Sequence, residues 1–191
     1  MDYAVSHIRK CCYLEIRKIS QIRSYINEDV TIKSVLSLVI SRLDYCNSLF
    51  YNIPDENIYK LQLIQNHEAR LVKQTSKSCS ASSLLKALHW LPVKQRITYK
   101  IAIFVYNCLH NDLFPSYLKD LISIYVRNRT LRSSQKNLLV KPLPNLKIFG
   151  HRSFEYAAPG VWNSLPDNVK SAESIATFKK RLNTHLFRLS F

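Results

Sequence analysis

Glycine is nearly absent: Gly150 and Gly160 are the only two among 191 residues. Glycine supplies the positive backbone angles of tight turns and of loops that cradle phosphates. Its scarcity argues against dinucleotide-binding and P-loop architectures and in favour of helices. Acidic residues are also few, 13 Asp and Glu against 28 Lys and Arg, and no Asp-Asp pair occurs. The cysteines, at 11, 12, 46, 79 and 108, form no Cys-x-x-Cys. A zinc site needs four converging ligands, usually as two close pairs; Cys11 and Cys12 are adjacent, with no histidine pair nearby. They read as free thiols, mostly buried, in a reducing compartment, and no metal or cofactor is expected. The longest apolar run, Ile101–Tyr106, is far too short to span a bilayer. Met1–Lys10 has no apolar stretch behind its charges, so it does not read as a secretory signal. The expectation is a soluble intracellular protein, cytoplasmic or nuclear, with no membrane partner.

Hydrophobic residues make up 47% of the chain, too many for a disordered basic tail. Their spacing is mostly helical. Ile8, Cys12, Ile19, Ile22 and Ile26 share a face in the first helix, and Asn27–Asp29 reads as a turn opening a second. Val35, Leu36, Val39, Leu43, Cys46 and Phe50 recur at intervals of three or four. A third helix after Pro54 holds Ile58, Leu61, Ile64, Leu71 and Val72. Residues 1–73 thus form one helical unit, 74–83 a polar linker, and 84–191 a carboxy-terminal helical region. Within that region a short helix at Ser83–His89 and a strongly apolar one after Pro92 precede a helix at Ser116–Ile124. Periodicity then fades. An extended stretch at about 138–154 predicts a small β-hairpin or irregular strands, Leu138–Val140 against Lys147–Phe154. Ala157–Pro166 reads as a turn holding Trp162. A terminal helix at about 174–190, capped by Ser171 or Ser174, carries Ile175, Phe178, Leu182, Leu186 and Leu189 on one stripe. The fold class is mainly α, with bundle-like helical segments.

The formal net charge of +15 attracts phosphate polyanions, and binding them releases counterions. RNA or DNA is therefore the expected partner. Candidate contacts are Arg127, Arg129, Arg132 and Lys136 in a stretch poor in apolar residues, Lys94, Arg96 and Lys100, and Lys179, Lys180 and Arg181. Tyr99 and Tyr125 lie near these charges, the interleaving that suits stacking on unpaired bases. Arg42 and Asp44 read most simply as a helix-surface ion pair, and Trp90 and Trp162 as packing anchors. Catalytic patterns are weak. Asp55 followed by Glu68-Ala69-Arg70 is distantly similar to an acidic nuclease pattern, with arginine where a lysine belongs. His151 and Asp167 lack a nucleophile elbow. No small-molecule substrate is expected.

Seven stretches in order carry a family resemblance. They are Ser41-Arg42-Leu43-Asp44-Tyr45-Cys46-Asn47-Ser48; Leu61-Gln62 through Gln65-Asn66 to Ala69-Arg70-Leu71-Val72; Leu88-His89-Trp90-Leu91-Pro92-Val93 with Arg96-Ile97; Pro115-Ser116-Tyr117-Leu118; Leu131-Arg132-Ser133-Ser134; Ala157-Ala158-Pro159 with Trp162-Asn163-Ser164-Leu165-Pro166; and Phe178-Lys179 through Leu182 to His185-Leu186-Phe187. Together they resemble the part of non-LTR, LINE-type (jockey-like) retrotransposon polyproteins that lies beyond the fingers and palm of the reverse transcriptase. The resemblance implies a thumb-like unit and the region after it, beside upstream polymerase domains of the same element. Polymerisation in that family needs paired aspartates to hold two metal ions. This sequence has none, so the resemblance implies a non-catalytic fragment and no enzyme. The alternative is a structural module that packs on the palm and binds nothing by itself.

Overall fold

The first helix, α1 (Asp2–Ile22), buries Val5, Cys12 and Ile19 along one face and leaves most of its charges outside. The computed structural model describes residues 1–125, 138–143 and 150–191. Asn27 opens α2 (Glu28–Val35), its side chain accepting the Val30 amide at 2.9 Å. That bond satisfies one of the amides a helix start leaves open. Glu28 and Asp29 occupy the first turn, where negative charge suits the helix dipole. A π-helical stretch, Leu36–Ile40, leads into α3 (Ser41–Asp44). The wider π turn shifts the buried face: Val39 and Ile40 are both buried, whereas Leu36, expected on the stripe, is exposed. A 3-10 turn at Asn47–Phe50 precedes α4 (Asp55–Lys73), which lies along α1 and also meets α2 and α5 (Ala81–Ala87).

With so little glycine, left-handed backbone falls to other residues: Cys46, Asn52, Gln74 and His89 all have φ between 50° and 55°. Gln74 caps α4, its amide donating to the Arg70 carbonyl.

The chain divides into two compact units, Met1–Ile97 with Phe187–Phe191, and Thr98–Leu186. The boundary falls within α6 (Val93–His110), and the expected linker at 74–83 lies inside the first unit; α5 already begins at Ala81.

The second unit contains α6 from Thr98 onward, α7 (Ser116–Lys119), α8 (Phe154–Ser164), α9 (Asp167–Lys170) and most of α10 (Ile175–Ser190). Ser174 caps α10 by accepting the Thr177 amide at 3.2 Å. Phe178, Leu182 and Leu186 are buried as the stripe predicts, but Leu189 is exposed. Phe178 stacks on Tyr106 with ring centroids 4.4 Å apart and on Trp162 at 6.0 Å. The Tyr106 hydroxyl donates to the Ala172 carbonyl at 2.9 Å.

Three expectations need correction. The β-hairpin is not seen: no sheet occurs among the described residues, and Leu139 makes one isolated antiparallel bridge, with Ile124. Its other partner is a side chain. The Leu139 amide donates to Asn163 Oδ1 and the Asn163 amide group donates to the Leu139 carbonyl, both at 2.9 Å. Asn163 thus fills the place of a strand. Residues 147–149 of the second predicted strand lie outside the described residues, and Phe154 opens a helix. Secondly, Ala157–Pro166 is not a turn; most of it belongs to α8, which runs through Pro159 and Gly160. Pro159 removes the amide that would meet the Glu155 carbonyl. Burial of Ala157, Ala158, Val161 and Trp162, with Ser153 as N-cap, outweighs that loss. Finally, α7 stops at Lys119 rather than Ile124, because the chain there straightens so that Ile124 can pair with Leu139.

All five cysteines are free, but only Cys12 and Cys108 are buried; Cys46 and Cys79 are exposed. Among the described residues no helix is long and apolar enough to cross a membrane, and no group of three His, Cys, Asp or Glu could hold a metal ion.

Candidate functional site

The motif segments 41–48, 61–72 and 88–97 interlock in the first unit. Asp44 pairs with Arg96: Nε donates to Oδ1 at 2.8 Å and Nη2 to Oδ2. This fork-to-fork geometry suits Arg and a carboxylate. Asp44 is therefore not in a helix-surface pair with Arg42, which instead reaches Glu15 of α1 at 3.7 Å. Gln65, fully buried, donates from Nε2 to the Leu91 carbonyl at 2.9 Å. The Val93 amide donates to Gln62 Oε1 at the same distance. Two glutamines of α4 thereby satisfy the backbone on either side of Pro92. Gln65→Leu should cost about 1–3 kcal/mol in urea unfolding, since it orphans the Leu91 carbonyl; a loss below 0.5 kcal/mol (about the noise of such measurements) would contradict that bracing role.

Next along α4 is Glu68, which is 0% exposed, with neither carboxylate oxygen hydrogen-bonded. Burial pushes its carboxyl well above the ordinary carboxylate range; the Arg96 charge opposes the shift and Asp44 adds to it. The Cys12 thiol is pushed up to about 12, by burial first and then by the Glu68 charge. A thiol so disfavoured as thiolate is a packing group rather than a nucleophile. No nucleophile, base and orienting group converge here.

The described basic residues expected to meet nucleic acid fall in both units. Arg96 is committed to Asp44. Lys94 is exposed in the first turn of α6. In the second unit Lys100 lies over the Phe104 ring, 5.5 Å from its centroid, and Arg181 donates to the Asn168 carbonyl at 2.8 Å. Lys179 and Lys180 are exposed on α10, opposite no carboxylate at ion-pair distance among the described residues. Arg127, Arg129, Arg132 and Lys136 lie outside the described residues.

Another group of side chains converges. An open pocket of about 390 Å³ in the first unit is lined by Arg23, Arg70 and Lys77 together with His67, with Ile16 and Leu71 as its larger apolar walls; no lining residue is acidic. Arg23 is held at the end of α4: Nε donates to the Leu71 carbonyl at 3.0 Å and Nη2 to that of Val72 at 2.8 Å. These bonds cancel the partial negative charge of a helix C-terminus. Arg70 donates from Nη2 to the Cys79 carbonyl at 3.2 Å, which ties the 74–80 turn to α4. His67 Nδ1 lies 3.0 Å from the Tyr13 hydroxyl. Burial holds His67 below the usual imidazole range, and the charges of Arg70 and Lys77 push the same way. The four side chains come from α1's end, α4 and the following turn, so no local pattern in the sequence announces them. The one hint was Arg70, read there only as a misfit in a nuclease pattern.

No protein-family model matches the chain, and no curated protein or solved structure is significantly similar to it.

Proposed function

We propose that this chain is a non-catalytic segment of a non-LTR retrotransposon reverse transcriptase that grips the RNA or DNA backbone beside the polymerase domains of the same element. Two observations support the parentage: seven motif-like stretches occur in order, and three of them brace one another through Asp44–Arg96 and the glutamines of α4. The observation that carries the binding reading is the pocket where Arg70 and Lys77 stand without a carboxylate, beside Arg23 and His67, on a chain of net charge +15. Exposed Lys179 and Lys180, and Arg127, Arg129 and Arg132, supply further charge for phosphates. The mechanism is phosphate neutralisation and counterion release.

Titration of the chain with single-stranded RNA and with duplex DNA across a salt series tests the reading. Affinity should fall steeply with salt. Each phosphate contact removed by a neutralising substitution (Arg127→Gln, Arg129→Gln, Arg132→Gln, or Lys179→Gln with Lys180→Gln) should flatten the log–log slope by about 0.9 on duplex. A folded chain that binds neither polymer at low salt would overturn it. The packing module is then favoured, and one observation already leans that way: in the second unit Leu113 is 96% exposed and Tyr117, Leu121 and Ile124 are also solvent-facing. Exposed apolar side chains of this kind suit contact with another domain.

A further inference from the structure

We infer that the cavity of the first unit receives one unpaired nucleotide, its base against Ile16, Leu71 and the His67 ring and its phosphate against Arg70 and Lys77. The inference rests on the nucleic-acid reading and narrows it to a ligand. Size comes first. A volume of about 390 Å³ falls within the roughly 300–1,000 Å³ of small-molecule pockets, too small for a duplex to enter and larger than a bare phosphate needs. The chemistry is two-sided. Ile16 and Leu71, with the aliphatic stems of the two arginines and the lysine, offer an apolar wall, while Arg70 and Lys77 in the lining supply the positive charge. Such a division suits a flat base joined to an anion.

The ring of His67 is fixed by its contact with Tyr13, edge to face at 5.4 Å between centroids. A planar group held in place is what base stacking requires. The positive potential at the site is left without a counter-charge, since Arg70 and Lys77 both act on His67 and no lining residue is acidic. The end of α4 would repel an anion, but Arg23 already occupies its Leu71 and Val72 carbonyls.

The test uses the full chain and an oligonucleotide carrying one fluorescent adenine analogue, either single-stranded or fully paired in a duplex. The expected result is a saturable emission change for the unpaired label, displaced by a nucleoside monophosphate but about tenfold less well by inorganic phosphate or by the nucleoside alone. Lys77→Glu, in an exposed turn, and Arg70→Ala should each weaken binding of the unpaired label about tenfold or more, the scale of one charge-assisted hydrogen bond. Circular dichroism establishes that both variants stay folded; Lys77→Glu suffices if Arg70→Ala does not. Equal binding of paired and unpaired labels, or indifference to Lys77→Glu, overturns the nucleotide pocket while leaving backbone gripping intact. Absence of binding by either strand at low salt, with the monophosphate still held, overturns the polymer as its source and leaves a free nucleotide as the ligand.

Discussion

Glu68→Met should make the protein more stable at neutral pH, by about 2–4 kcal/mol, and the gain should widen as pH rises. The carboxyl is fully buried and unbonded, so even when protonated it forfeits hydrogen bonds worth about 1–3 kcal/mol. Ionisation adds to the cost. With the folded-state pKa raised, both states are protonated below the ordinary glutamate value near 4.3, and Glu68 contributes no pH dependence there. Above that value the unfolded chain releases the proton while the folded one keeps it, so stability falls by about 1.4 kcal/mol per pH unit until the folded-state pKa is reached. Methionine has similar length and no charge to desolvate, which removes both terms. Urea unfolding of the two proteins at pH 5, 6, 7 and 8 measures the effect. A variant less stable than the parent at pH 7 would mean that the carboxylate has a partner there.

Phe178→Ala should cost about 3–5 kcal/mol, the range for removing a buried aromatic. Its ring is 0% exposed and lies between Tyr106 and Trp162, so truncation strips one face from each of two large side chains. Both neighbours are themselves buried, and Tyr106 is further tied through its hydroxyl to Ala172, which limits how far the site can collapse into the void. The cost belongs near the top of that range for this reason. Trp90 and Trp162 are the two tryptophans, so a Trp90→Phe background lets emission report on Trp162 alone. A loss under 1 kcal/mol, or an unchanged Trp162 spectrum, would show that these rings are not the centre of the second unit's core.

What the sequence revealed follows from how local the causes were. The α10 stripe was legible because Phe178, Leu182 and Leu186 recur at helical spacing behind a serine cap, and a single period decides their burial. Asn27 and the acidic pair after it marked α2 for the same reason. Residues 154–164 misled because Pro159 and Gly160 are local breakers, whereas the force that keeps α8 helical is burial against distant side chains. At 138–140 the pairing could not be read: Leu139 makes a single isolated bridge, and its other partner, a side-chain amide twenty-four residues away, leaves no periodic trace. Leu36 fell off its stripe because a π turn adds a residue, and helical spacing assumes there is none. The cavity was hidden by distance too. Arg23 and Arg70 look like solvated charges until α1 and α4 lie side by side.

The first unit is closed by Phe187–Phe191, with the Phe187 ring 5.4 Å from that of His89. It is thus assembled from two stretches of chain between which the whole of the second unit is spelled out. On a ribosome adding about 5–20 residues per second, Ile97 emerges several seconds before Phe187 can join it. The nascent helices of the first unit must wait through that interval with a flank uncovered, and their final stability arrives late, through loop closure rather than local propensity. Folding of this protein should therefore be governed by the order of its synthesis as much as by the strength of its contacts.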